Sequence, residues 1–308
     1  MERKVSDSFH HSKEACQQVK QLAVLSGKGG TGKTTITASF AVLAHNAVVA
    51  DCDVDAPDLH MLLHPRTFKT QEFRGSKLAK IDETKCTKCG LCQQKCSFNA
   101  ITESIQIDPI SCEGCGVCSF VCPTNAIVLT ERVSGQAYLS ETKYGFMAHA
   151  LLSPGESNSG KLVTLVRQNA KILAEKEHAD LVIIDGSPGI GCPVIASVTG
   201  VDAGLIVTEP TMSGIHDLER VLSLLGHFNV RPFVCINMHD INDENTKRIV
   251  GFCRENGIEV VGKIPFNKIV TEAMVNEKPI VEYASESEVT KKIIEMWKRI
   301  VSALTRGS

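Results

Sequence analysis

Gln21-Leu22-Ala23-Val24-Leu25-Ser26-Gly27-Lys28-Gly29-Gly30-Thr31-Gly32-Lys33-Thr34-Thr35 is an apolar run that empties into glycines and ends on Lys-Thr-Thr. It reads as a buried strand, a glycine-rich loop and the start of a helix that continues to Ala44. Glycines let backbone N–H groups converge on phosphate oxygens, and the helix N-terminus adds its positive dipole end. In that setting Lys33 supplies a full charge at the β/γ-phosphates, and Thr34 offers a hydroxyl to Mg²⁺. The stretch Gly27, Lys28, Gly29, Gly30, Thr31, Gly32, Lys33, Thr34 and Thr35 is therefore the expected ATP/ADP site. A chance glycine-rich turn is the alternative.

Outward from this loop the rhythm repeats. Further buried strands are predicted at 47–50, 145–152, 181–184, 204–207, 233–236 and 260–264, with helices near 162–177, 215–227 and 243–256 and a last helix over 286–304. Apolar strands alternating with helices predict an α/β fold with a doubly wound parallel sheet. Ligands bind at the carboxyl ends of such strands. Asp51-Cys52-Asp53-Val54-Asp55 follows the second strand, and Asp185-Gly186-Ser187-Pro188-Gly189 follows Leu181–Ile184.

From about Gly75 to Arg132 the rhythm breaks into short, cysteine-rich turns. Cys86, Cys89, Cys92 and Cys96 recur at Cys112, Cys115, Cys118 and Cys122, and Asn99-Ala100-Ile101 recurs as Asn125-Ala126-Ile127, all with the same offset. C-x₂-C-x₂-C-x₃-C is the bacterial ferredoxin run, in which the fourth cysteine serves the other cluster. The pattern assigns Cys86, Cys89, Cys92 and Cys122 to one [4Fe–4S] cluster, and Cys112, Cys115, Cys118 and Cys96 to a second. Zinc, which also uses C-x₂-C pairs, is the alternative. Pro123 follows the second run, and Ser97 stands where the proline of the first run would be. The predicted division is an ATPase domain of residues 1–74 and 134–308, interrupted by a small α+β ferredoxin-like domain of residues 75–133.

The bulk numbers suit this reading. The chain has 308 residues, 43% hydrophobic and 22% charged, with a net charge of −2, which is not the footprint of a nucleic-acid binder. No apolar run approaches a membrane span, and residues 1–20 lack the apolar core of a secretory signal. A reducing, cytoplasmic compartment is expected.

The early second lysine, Lys28, resembles the deviant Walker A of the MinD/ParA/Mrp and nitrogenase-iron-protein superfamily of P-loop (SIMIBI-type) ATPases. The resemblance covers nearly all of the chain outside the insertion. It implies that Lys28 reaches across a dimer to the partner's nucleotide, and that Asp53 positions the attacking water. It further implies that Asp51 supports the magnesium shell, Asp185 holds Mg²⁺, and Gly186 and Gly189 let the loop respond to the γ-phosphate. Asn237 matches the family's adenine-contacting Asn; a turn residue at a strand end is the bland alternative. The whole resembles MinD-superfamily ATPases with an inserted ferredoxin domain. That implies ATP hydrolysis, a homodimer or a dimer with a paralogous ATPase, and a redox or metal-cofactor protein partner.

Three functions follow: nucleotide-gated electron transfer, MinD/ParA-like positioning or assembly with structural or sensing clusters, and iron–sulfur or metal-cofactor delivery. Outside the runs, Cys235 reads as a core hydrophobe. Cys192 follows the Asp185 loop, but no cysteine lies in Pro154–Gly160 to complete a subunit-bridging cluster. Val289, Ile293, Trp297, Ile300, Val301 and Leu304 share a face of the last helix, which is expected to pack on the sheet rather than on a membrane.

Overall fold

Strands that are apolar on both faces are stable only where helices cover both sides. In the computed structural model, which describes residues 19–156 and 159–306, the strands are β1 (Lys20–Ser26), β2 (Ala47–Asp51), β3 (Arg66–Phe73), β4 (Ser76–Ile81), β5 (Ile127–Arg132), β6 (Gly135–Thr142), β7 (Gly145–Leu152), β8 (Leu181–Pro188), β9 (Ala203–Thr208), β10 (Arg231–Asn237) and β11 (Glu259–Ile264). The helices are α1 (Lys33–Leu43), α2 (Leu59–Leu63), α3 (Leu91–Gln94), α4 (Val117–Phe120), α5 (Ser159–Lys176), α6 (Cys192–Val198), α7 (Met212–His227), α8 (Asp243–Glu255), α9 (Lys268–Val275), α10 (Ile280–Tyr283) and α11 (Glu288–Thr305). His10 and His11, a weak candidate for metal binding in the polar first residues of the sequence, and Cys16 lie outside the described residues.

A nine-stranded sheet runs in the order β11-β10-β9-β1-β8-β2-β7-β6-β3. Neighbours from β11 to β7 are parallel, while β6 and β3 are added antiparallel. The fold is a doubly wound α/β sheet. The period-2 alternation of a strand sorts side chains between its two cores. Ala23 and Leu25 of β1 join Val182 and Ile184 of β8 beneath α5, α6, α7 and α8. Leu22 and Val24 join Leu181 and Ile183 beneath α1 and α11.

The apolar face of α11 is occupied by this second core: Val289, Ile293, Met296, Trp297, Ile300 and Leu304 are buried, and the Trp297 ring lies 4.7 Å from that of Phe40. No helix among the described residues is long and apolar enough to cross a membrane.

β3, β4, β5 and β6 are absent from the sequence reading. β3 shows why: all its residues except Phe73 are exposed, so it is a polar edge strand with no apolar run to betray it. β3 and β6 pair from Arg66↔Glu141 to Phe73↔Gly135. Beyond that last pair the chain forms a small lobe, built on the separate β4–β5 ribbon. Its core is Ala79, Cys92, Ala100, Ile101, Cys112 and Ile127.

β8 also runs further than its apolar stretch suggests, to Pro188. Gly186 therefore sits inside a packed strand, where an ideal Cβ would come within 2.7 Å of Leu25 Cδ2. Close packing explains this glycine better than loop freedom. Gly189, at φ +96° with open space around it, is the one of the pair whose backbone conformation calls for glycine.

Candidate functional site

The loop between β1 and α1 closes on Gly32, which caps the helix at φ +90°. A side chain there would also meet Asn237 Nδ2 at 2.4 Å, so only glycine fits. Asn237, at the end of β10, donates from that amide nitrogen to the Thr31 carbonyl at 2.8 Å. It braces the loop from behind.

Lys33 is buried, and its Nζ donates to Asp185 Oδ1 at 2.9 Å. Asp53 Oδ2 lies 4.0 Å from the same nitrogen. Thr34 Oγ1 donates to Asp185 Oδ2 at 2.9 Å, and Thr37 Oγ1 to Asp185 Oδ1 at 2.8 Å. Asp51 and Asp185 are register partners on adjacent strands β2 and β8. Asp51 Oδ1 accepts from the Asp53 backbone N–H at 3.1 Å.

Three carboxylates thus face one ammonium. Burial pulls the Lys33 ammonium down, but Asp185, Asp53 and Asp51 outweigh it and hold the group above the ordinary lysine value. Burial, and then the Asp185 carboxylate, push Asp51 well above the usual carboxylate range. Burial likewise lifts Asp53 to about 6, opposed by Lys33 and assisted by Asp185, Asp55 and Asp58.

Asp51 Oδ2 and Thr31 Oγ1 are buried with no hydrogen-bond partner. Unmatched buried oxygens beside excess negative charge are what a divalent cation and a phosphate would satisfy. The residues fit Mg²⁺ and a nucleotide. Thr31, Lys33, Thr34, Asp53, Asp55 and Ser187 help line a cavity of about 650 Å³, within the range of small-ligand sites.

Lys28 turns away from that cavity. Its Nζ pairs with Glu209 Oε1 at 2.6 Å and donates to Ser213 Oγ at 2.9 Å. The sequence reading missed Thr37, although it stands one helical turn after Lys33 and so shares its face. It also missed Glu209, Thr211 and Ser213. An acidic residue and hydroxyls directly after the buried strand β9 were the available signal.

In the lobe, Cys86, Cys89, Cys92 and Cys122 line one cavity, and Cys96, Cys112, Cys115 and Cys118 line another. The described cysteines are all free thiols. The two halves are near copies in backbone as well as sequence. Ala100 N–H points at Cys96 Sγ at 3.4 Å, and Ala126 N–H at Cys122 Sγ at 3.2 Å. Asn99 and Asn125 both adopt φ 51°. Amides aimed at sulfur and apolar surroundings suit thiolate-bound iron–sulfur clusters. Burial raises the Cys92 and Cys118 thiols, and a hydrogen bond with Thr124 lowers Cys122. Among the described residues, no three His, Cys, Asp or Glu side chains gather around a single-ion position.

The lobe is tied to the sheet through Ser134, which is fully buried. Its Oγ accepts from the N–H groups of Gly75 and Ser76, and its carbonyl accepts from Ser153 N at 2.9 Å. Ser76 Oγ donates to Glu156 Oε2 at 2.7 Å, and Glu156 Oε1 pairs with Arg132 Nε at 2.8 Å. One residue before Ser153, Leu152 N donates to the carbonyl of Val54, the neighbour of Asp53. A continuous set of hydrogen bonds therefore joins the Asp53 segment to the foot of the lobe.

A model of the CobQ/CobB/MinD/ParA nucleotide-binding domain (CbiA) matches residues 22–280. An uncharacterized protein of Methanocaldococcus jannaschii is 36% identical over 286 residues, covering 92% of this chain and 96% of the relative. An iron–sulfur cluster carrier protein of Pyrococcus horikoshii is 23% identical, covering 92% and 86% of the two chains. Among solved structures, the septum site-determining protein MinD of Pyrococcus horikoshii, complexed with Mg-ADP, superposes with a TM-score of 0.57 at 15% identity, covering 92% and 96%.

Proposed function

The chain belongs to the CobQ/CobB/MinD/ParA nucleotide-binding family and is a P-loop ATPase; on that premise we propose that ATP binding and hydrolysis gate electron transfer through the cysteine lobe. The observation that carries the reading is the division of eight thiols into two cavities of four, on a lobe hydrogen-bonded to the Asp53 segment. When bound, two [4Fe–4S] clusters would supply one-electron chemistry at those cavities.

In this reading Lys33 and Thr34, which now engage Asp185, turn to the β/γ-phosphates and to Mg²⁺. Asp185 and Asp51 would hold the magnesium shell. Asp53, at the edge of the cavity, orients the attacking water. Lys28, already directed away from its own cavity, leaves Glu209 to reach the nucleotide of a second copy or of a paralogous ATPase. Closure of that dimer displaces the Asp53 segment, and with it the hydrogen bonds that reach Ser134 and the lobe.

Anaerobic purification followed by iron and sulfide analysis tests the cluster reading. About eight iron atoms per chain are expected; stoichiometric zinc without iron–sulfur absorption would contradict it. The resemblance to an iron–sulfur cluster carrier favours a second reading, cluster delivery. Rapid transfer of iron to an apo-ferredoxin, driven by ATP, would select delivery. Four thiols per cavity instead favour retention, because a fully ligated cluster is a poor donor.

A further inference from the structure

The internal repeat supplies its own control, because each half of the lobe shows what the other could have been. The segment from Asp82 to Cys96 carries Lys85, Lys88 and Lys95 against Asp82 and Glu83. Its counterpart from Asp108 to Cys122 carries Asp108 and Glu113, and no lysine or arginine. Lys85, Lys88 and Lys95 are all exposed; Lys85 and Lys88 neighbour Cys86 and Cys89 of one cavity, whereas Lys95 precedes Cys96 of the other.

The two ends also differ in position. The β4–β5 ribbon leaves the sheet at the Ser76↔Arg132 pair and ends at Ile81↔Ile127. The cavity of Cys96, Cys112, Cys115 and Cys118 lies along the ribbon against Ala79 and Leu129. There Gly114, the counterpart of Lys88, packs so closely that an ideal Cβ would sit 2.1 Å from the Lys77 carbonyl oxygen. The cavity of Cys86, Cys89, Cys92 and Cys122 lies at the far end, against Ile127. Lys88 stands inside that ligand loop: its N–H donates to Cys86 Sγ at 3.4 Å, and the next residue, Cys89, is an exposed thiol. Lys85 is partly offset by Asp82, 3.2 Å away.

We propose that this outer, lysine-rimmed end docks a small protein electron carrier with an acidic surface. The inference rests on the reading of these thiols as cluster ligands. Charge complementarity selects the partner, since rim charges steer encounter and set its salt dependence. Electron-transfer contacts are small and transient, which suits a rim of exposed lysines better than a large apolar patch. A carrier that gives up one electron here is itself oxidised by one, and no covalent bond forms or breaks. The inner end faces the foot of the lobe and is left to the nucleotide-controlled side.

The test uses the full-length, anaerobically purified protein with flavodoxin, an acidic flavin carrier, as the probe. Binding is measured at low and high salt for wild type, for the double variant Lys85→Glu/Lys88→Glu, and for Lys247→Glu, a charge reversal at an exposed position of α8 in the ATPase body. Iron content is measured on each. The double variant should keep its iron and bind flavodoxin about tenfold or more weakly at low salt, with the difference lost near ~0.5 M salt, where screening is nearly complete. Lys247→Glu should bind as wild type does. Wild type that does not bind, a double variant that binds equally well, or an equal loss in Lys247→Glu overturns the docking proposal while the iron content stands. Wild type without iron–sulfur overturns the parent reading and this one with it. If the double variant loses iron, Lys85→Gln/Lys88→Gln takes its place, and wild-type affinity in that variant is equally fatal.

Discussion

Around the phosphate loop, Lys33 at the start of α1 and Asp51 and Asp185 on β2 and β8 are buried, where helices pack on both faces of the central strands. In the lobe, the buried core is Ala79, Cys92, Ala100, Ile101, Cys112 and Ile127, so two of its six members are thiols expected to bind iron. The first region can hold charges out of water because its scaffold is stable without them. The second builds its candidate ligands into its core. Modules of this size rarely stabilise themselves by more than about 3–5 kcal/mol from apolar burial alone, and a metal commonly supplies the rest. On the proposed reading of these thiols as cluster ligands, one chain would house a preformed site beside a site completed by its cofactor.

Removing a charge from the preformed site gives the largest effect. Lys33→Ala should abolish ATP binding in calorimetry, because it deletes the phosphate charge and leaves Asp185 buried against no ammonium; breaking such a pair costs about 3–5 kcal/mol. Iron in the lobe should be unchanged, and loss of iron in this variant would break the comparison. Asp53→Ala should keep nucleotide binding but lower hydrolysis by about a hundredfold or more. Equal loss of binding in the two variants would contradict their separate roles.

Cys89→Ser reverses the test. It should lose about half of the iron and raise amide exchange across residues 76–132, while the thermal midpoint of the ATPase body barely moves. A smaller effect is expected at the junction. Ser134→Ala leaves the Gly75 and Ser76 N–H groups without their buried acceptor, which costs about 1–3 kcal/mol. Faster exchange should appear on both sides of the foot, in β6 and in the ribbon.

The least effect is a matter of pH. Asp53 binds its proton more tightly when folded, at about 6, than when unfolded. Its ionisation therefore penalises the nucleotide-free fold above that value, and the penalty is relieved as pH falls through it. Asp53→Asn should raise the melting temperature near pH 8, by an amount equivalent to about 1 kcal/mol after solvent screening. The gain should fade as the pH is lowered through about 5. An unchanged difference across that range would show that Asp53 is not in this electrostatic environment.

The same contrast explains what was legible in the amino-acid sequence. β1, β8, β9 and β10 are buried on both faces and so read as plain apolar runs, and the loop at Gly27–Lys33 is written in residue types that few other structures need. β3 was invisible because a polar edge strand resembles a loop. The Ser134 junction was invisible because a buried serine that accepts backbone N–H groups carries no motif. Lys28 was legible as unusual, but its contact with Glu209 joins residues far apart in sequence and belongs to tertiary structure alone. Cysteine spacing announced two sets of four thiols but not which end of the ribbon each would occupy.

If nucleotide state and the lobe are coupled, the redox potential of the lobe reports that coupling directly. Titrating the lobe anaerobically in nucleotide-free, ADP-bound and ATP-trapped Asp53→Ala protein should show at least one midpoint displaced by ATP. A coupling of ~1–3 kcal/mol corresponds to a shift of several tens of millivolts or somewhat more, and reduction must alter ATP affinity by the matching factor. Identical midpoints in all three states would contradict thermodynamic coupling between the phosphate site and the lobe.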